Sequence, residues 1–124
     1  MQADLKGLGF SGEEAAAGYL REKGFKVLKQ NYRCRMGEVD LIVEKEETIS
    51  FVEVKTRRSL DTVSPLELIP YGKQRHISRV AQHFLAAQNW HGRNANFAMV
   101  IVDWSAKKPV CELLEHIFEL TWGY

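Results

Sequence analysis

Phe97-Ala98-Met99-Val100-Ile101-Val102 is an unbroken apolar run within residues 97–104. So short a run with β-branched residues reads as a strand buried on both faces, so its sheet needs cover on each side. The preceding residues supply one cover: over 73–89, Ile77, Val80, Ala81, Phe84 and Leu85 recur at helical spacing and form one apolar stripe. Further upstream, residues 39–44 and 49–57 are two β-branched runs separated by the polar Lys45-Glu46-Glu47-Thr48, the pattern of a hairpin. A hairpin, a crossover helix and a doubly buried strand join most economically when the last strand lies parallel to the second hairpin strand.

The rest of the chain extends this layout. Residues 11–24 read as a helix, with Ser11-Gly12-Glu13-Glu14 in the form of a capping box and Gly24 as its stop. Residues 25–34 read as a strand anchored by Phe25, Val27 and Leu28. Ser64-Pro65-Leu66-Glu67 reads as the start of a single helical turn, and residues 110–120 fit helix and strand templates about equally, with strand preferred. The expected architecture is α/β, an αβββαβ core plus a C-terminal element, with a mixed central sheet flanked by helices. At 124 residues there is room for one core, so residues 1–124 are read as one domain. A composition of 45% hydrophobic and 27% charged residues excludes a disordered, collagen-like or disulfide-rich chain.

Cys34 and Cys111 lie far apart, and neither they nor the four histidines show metal-ligand spacing, so no zinc site is signalled. The N-terminus lacks a basic start followed by an apolar run, and no apolar stretch is long enough to span a membrane. The expectation is a protein of the reducing cytoplasm with no membrane partner.

The net charge is +1, which argues against a protein that coats nucleic acid. Placed along the chain, the charges are uneven: residues 1–53 carry −2, residues 54–94 carry +5 and residues 95–124 carry −2. A basic middle beside an acidic first half suits a phosphate-facing surface next to a carboxylate cluster, although a mixed solvated surface is the plainer reading.

Four residues draw attention within the hairpin. Residues two apart on a strand share a face, so Glu38 goes with Asp40, and Glu53 goes with Lys55 and Arg57. A Glu-x-Lys tripeptide is expected about once by chance among 12 Glu and 9 Lys, and by itself it reads as a surface ion pair. Its setting carries the weight: it lies in a β-branched strand, follows a strand that opens with an Asp, and is preceded by a helix with an inward carboxylate. Glu13, Ala16, Ala17 and Leu20 fall on one helical face, which puts Glu13 on the side meant for the core. Two ionised carboxylates about 4 Å apart repel by about 4 kcal/mol at an effective dielectric of 20, so a site that keeps both charged wants a cation between them. Mg²⁺ suits oxygen ligands and phosphate substrates, and a lysine beside it can orient water and steady charge on the phosphate.

These residues resemble a known family. Gly12-Glu13, Ala16, Leu20, Gly24-Phe25, Asn31-Tyr-Arg-Cys-Arg, Gly37-Glu38-Val39-Asp40-Leu41-Ile42, Phe51-Val52-Glu53-Val54-Lys55-Thr56-Arg57 and Lys73-Gln74-Arg75 are similar to the YraN-like family of small bacterial proteins. That family is similar in turn to archaeal Holliday-junction resolvases and the PD-(D/E)xK nucleases of the restriction-endonuclease-like fold. The resemblance implies that Asp40 and Glu53 are metal ligands, with the Val54 backbone carbonyl a third, that Lys55 is the motif lysine, and that Glu13 is the acidic residue the first helix sends into the site. Val39-Asp40 stands where the motif has Pro-Asp. Glu38 has no firm counterpart.

Lys73, four residues before Ile77 and at the start of its helix, is placed to hold a phosphate with the free N–H groups there. Gln74 is a weaker candidate on family grounds. Arg33, Arg35, Arg57, Arg58, Arg75 and Arg79 are candidates for contact with a nucleic-acid backbone. The three tryptophans read as packing groups. Together these features lead to the expectation of a Mg²⁺ (or Mn²⁺) dependent endonuclease hydrolysing DNA phosphodiester bonds, selective for branched or damaged DNA. The alternative is a non-catalytic nucleic-acid-binding or scaffold protein that keeps the nuclease fold. A homodimer is compatible with the resemblance, because a junction offers two symmetric strands, but the chain itself does not fix one.

Overall fold

The structure, a computed structural model, describes residues 5–57 and 69–118. Its elements are α1 (Leu5–Glu22), β1 (Lys26–Cys34), β2 (Gly37–Lys45), β3 (Thr48–Arg57), α2 (Tyr71–Ala87), β4 (Asn94–Asp103) and β5 (Val110–Leu114). This is the expected αβββαβ order followed by a strand. The five strands make one sheet in the order β1-β2-β3-β4-β5. β1, β2 and β3 form an antiparallel meander, β4 lies parallel to β3 from Thr48↔Asn94 to Arg57↔Asp103, and β5 returns antiparallel to β4.

Residues 96–102 of β4 are buried, as the apolar run requires, because each face of the sheet has its own layer. Ala16, Ala17 and Leu20 of α1 pack on Leu41, Val43, Val52, Ala98, Val100 and Val102. On the other face, Ile77, Val80, Ala81, Phe84 and Leu85 of α2 pack on Val39, Ile42, Ile49, Phe51, Phe97, Met99 and Ile101. The ring of Phe84 lies edge-on to Tyr32, Phe51 and Trp90 at centroid distances of 5.3, 6.0 and 5.8 Å.

Two expected boundaries move furthest. α1 begins at Leu5, so Ser11 lies inside the helix and does not cap it. The Ser-x-x-Glu signal is local, while lengthening a formed helix costs far less than starting one, and residues 5–10 contain no proline to stop it. β5 ends at Leu114, short of the expected residue 120. His116 takes a left-handed backbone (φ 54°) and turns the chain, which is then pinned by His116 N–H to the Asn96 side chain (2.9 Å) and Ile117 N–H to Phe97 O (3.0 Å). The helical turn expected at residues 64–67 lies outside the described residues. Among the described residues, no helix is long and apolar enough to cross a membrane.

Candidate functional site

The hairpin expected at residues 39–57 forms, and its ladder stops where the acidic residues begin. β2 and β3 pair from Lys45↔Thr48 to Leu41↔Val52. At the next position the Val54 N–H donates to the Asp40 carboxylate (Oδ2, 2.8 Å), so a side chain takes the place of a ladder carbonyl. The alternation of β2 also breaks here: Val39 packs on the α2 side and Leu41 on the α1 side, although strand residues two apart normally share a face. On the neighbouring strand, the register puts Asn31 opposite Asp40, and Asn31 has a left-handed backbone (φ 51°). A local distortion of this kind re-aims a side chain. Asp40 is thereby held at the fork of two strands.

Glu53 comes to the fork from β3. It is two residues beyond Phe51, on the α2 side, and only 9% exposed. Its carboxyl is within hydrogen-bonding reach of Asp40, and Lys73 Nζ lies 3.4 Å from its Oε2. Burial, reinforced by the Asp40 charge and opposed by Lys73, pushes Glu53 up to about 7. Because this folded-state value lies above the ordinary carboxylate value, Glu53 contributes stability that is fully present below about pH 4.5 and lost as pH rises through about 7. Metal-free protein is therefore expected to melt at a higher temperature at pH 5 than at pH 8.5, with Glu53 accounting for on the order of 2–3 kcal/mol of the difference. Glu53→Gln should remove that share, and a pH profile of melting identical to wild type would show that Glu53 carries no such proton.

Glu13 arrives from the opposite face. α1 approaches β3 closely because Gly12 sits against Thr56, where an added Cβ would collide with the hydroxyl. That contact sets the depth of Glu13, which is half-buried, with an Oε1 that is buried and has no hydrogen-bond partner among the described residues. Burial first, then the Asp40 charge, raises its carboxyl above the ordinary range, and a hydrogen bond with the Asn31 side chain partly opposes this. Asp40 and Glu53 thus lie close enough to interact directly, and Glu13 interacts with Asp40 from the α1 layer. Among the described residues, no three His, Cys, Asp or Glu side chains form a group that could hold a metal ion.

The other candidates divide by what they touch. Lys55 is exposed, two residues past Glu53 on β3. Val54 gives its N–H to Asp40. Arg35 is exposed in the β1–β2 turn, and Arg33 pairs with Glu38 at 3.0 Å on the surface. Arg57 bridges to Asp103 at 3.0 Å, across the end of the parallel pair. Gln74 donates its amide to Ile69 O at 3.0 Å and so fixes the start of α2. Arg75 is half-buried, Arg79 is exposed, and Arg58 lies outside the described residues. Asn31 had no assigned role in the sequence, although an asparagine within a strand already signals a left-handed backbone position. Asp103 was missed as well, and only the register Arg57↔Asp103 reveals it.

Fold and site together define an α/β protein whose mixed sheet carries a carboxylate pair at a strand fork, backed by a lysine from the helix above. The chain belongs to the uncharacterised protein family UPF0102, whose profile matches residues 12–102 and so covers Glu13, Asp40, Glu53, Lys55 and Lys73. A UPF0102 protein of Caldicellulosiruptor saccharolyticus is 44% identical over 106 residues, covering 86% of this chain and 90% of the relative. One from Syntrophus aciditrophicus is 41% identical over 112 residues, covering 90% and 88%. One from Geobacter metallireducens is 38% identical over 122 residues, covering 98% and 100%.

Proposed function

We propose that this protein is a divalent-metal-dependent endonuclease that hydrolyses DNA phosphodiester bonds, with a preference for branched or damaged DNA. The observation that carries the reading is the Asp40–Glu53 pair, two carboxylates within interacting distance at a strand fork, one of them buried enough to be pushed up to about 7. A structural role alone would favour an apolar pair in this position, since burying like charges destabilises the fold.

The donor set is all oxygen, which fits Mg²⁺ or Mn²⁺. Asp40, Glu53 and the Val54 carbonyl are the groups that would hold the ion, with Glu13 beside Asp40 as an additional charge. When bound, the ion supplies Lewis-acid charge at the scissile phosphate and acidifies water. The chain's own residues do the rest. The Val54 N–H fixes the Asp40 carboxylate, so that its position does not have to be ordered during reaction. Lys55, exposed two residues past Glu53 on β3, would orient the attacking water and stabilise charge developing on the phosphate. Lys73 and the start of α2 take a neighbouring phosphate, and Arg35 extends the contact along the strand. Among the described residues no helix presents a row of base-reading side chains, so selection would rest on backbone and shape.

The test is a panel of duplex, nicked, single-stranded and branched DNA with Mg²⁺ or Mn²⁺. Cleavage of at least one substrate is expected, stopped by EDTA and lost in Lys55→Ala while DNA binding stays nearly intact. Binding without cleavage across the panel, unaffected by EDTA, would instead identify a nucleic-acid-binding protein that retains the fold.

A further inference from the structure

We infer that Lys73 is a built-in counter-ion, which holds the cation position at Glu53 in the free protein and moves to a substrate phosphate when a divalent ion binds. The inference rests on the nuclease reading and concerns how that site is regulated.

The two partners of the ion pair are held very differently. The Glu53 side chain is 11% exposed and fixed in the sheet, while the Lys73 side chain is 52% exposed and joins it at 3.4 Å, longer than the roughly 2.7–2.9 Å of a tight charge-assisted bond. Lysine is a point charge on a flexible stem, so it can leave without repacking the helix, whereas arginine would hold the carboxylate in a fork. An ammonium carries half the charge of a divalent ion, so the ion displaces it from the carboxylate pair.

The released lysine has somewhere to go. It lies in the first turn of α2, whose cap residue, Pro70, makes no side-chain hydrogen bond to the helix. Beside it an open cleft of about 430 Å³ is lined by Gly37, Glu38, Gly72, Lys73, His76 and Ile77, and no described residue occupies the space next to Gly72. A phosphate entering this cleft meets the positive end of α2 and the freed ammonium together. Metal and phosphate binding are thereby coupled: each removes Lys73 from competition with the other's partner.

Titration calorimetry of the full chain with MgCl₂ tests this directly. Lys73→Met should bind Mg²⁺ about fivefold more tightly than wild type, the scale of a partly exposed ion pair. Lys73→Arg, which keeps the competing charge, should not gain affinity. Mg²⁺ should also raise the melting temperature of Lys73→Met by more than that of wild type. Equal or weaker Mg²⁺ binding by Lys73→Met, with wild-type binding abolished by Asp40→Asn, would overturn the counter-ion role and leave the nuclease reading standing. Absence of Mg²⁺ binding in both wild type and Lys73→Met would overturn both.

Discussion

Asp40→Asn is expected to lower metal-dependent cleavage by at least about a thousandfold while leaving the protein folded. Asparagine keeps an oxygen that can accept the Val54 N–H, so the fork stays pinned as it is by the 2.8 Å bond in the wild type. What is lost is one of two charges needed to hold a cation. The same change removes the Asp40 repulsion that helps to push Glu53 up to about 7, so Glu53 should titrate lower in the variant, a shift readable by NMR. Asp40→Ala is the harsher variant: it orphans the Val54 N–H and should cost about 1–3 kcal/mol of stability as well. Comparing the two separates charge from scaffolding, and cleavage that survives in Asp40→Asn would place the reaction elsewhere.

The largest effect on stability is expected at Phe84. It is 2% exposed and its ring meets Tyr32, Phe51 and Trp90, which come from β1, β3 and the segment after α2. Phe84→Ala should destabilise by about 3–5 kcal/mol, measured by chemical denaturation. Phe84→Leu, which refills most of the volume, should cost clearly less. Because Phe51 lies two residues from Glu53 on the same face, loosening α2 over Phe84 should also weaken the Lys73–Glu53 pair. A loss below about 1 kcal/mol would show that α2 is held by something other than this aromatic cluster.

Patterns that repeat were legible in the sequence. The stripe Ile77, Val80, Ala81, Phe84 and Leu85 is buried as its spacing requires, and the apolar run 97–102 is the buried strand parallel to β3. Asp40 and Glu53 were legible as neighbours because they lie on adjacent strands of one hairpin, just past its last paired residues Leu41 and Val52, while Lys55 is exposed two residues further along β3. Geometry that depends on a single backbone angle was not legible. The break at Asp40, with Val39 and Leu41 on different faces, goes against the period-two rule that paired Glu38 with Asp40. Ion pairs between distant segments were equally hidden: Lys73 with Glu53 and Arg57 with Asp103 depend on how helix and strands dock, which no local pattern encodes. Arg57 was a candidate for nucleic-acid contact by residue type and Gln74 on family grounds; in the fold Arg57 pairs with Asp103 and Gln74 bonds to Ile69 O, contacts the sequence does not show.

The parallel pairing of β3 with β4 sets an order of events during folding. Asp40 and Glu53 belong to one hairpin, whose strands are close in sequence and can pair within microseconds. The β3–β4 ladder closes a loop through the whole of α2, so it forms later and more slowly. The two carboxylates are therefore expected to come together before the element bearing Lys73 has docked. In that interval they are open to water and to free cations, and their repulsion is fully felt only when α2 seals the layer over Glu53. Divalent ions present while the chain folds would relieve that repulsion at the step where it matters most, and should speed refolding above neutral pH.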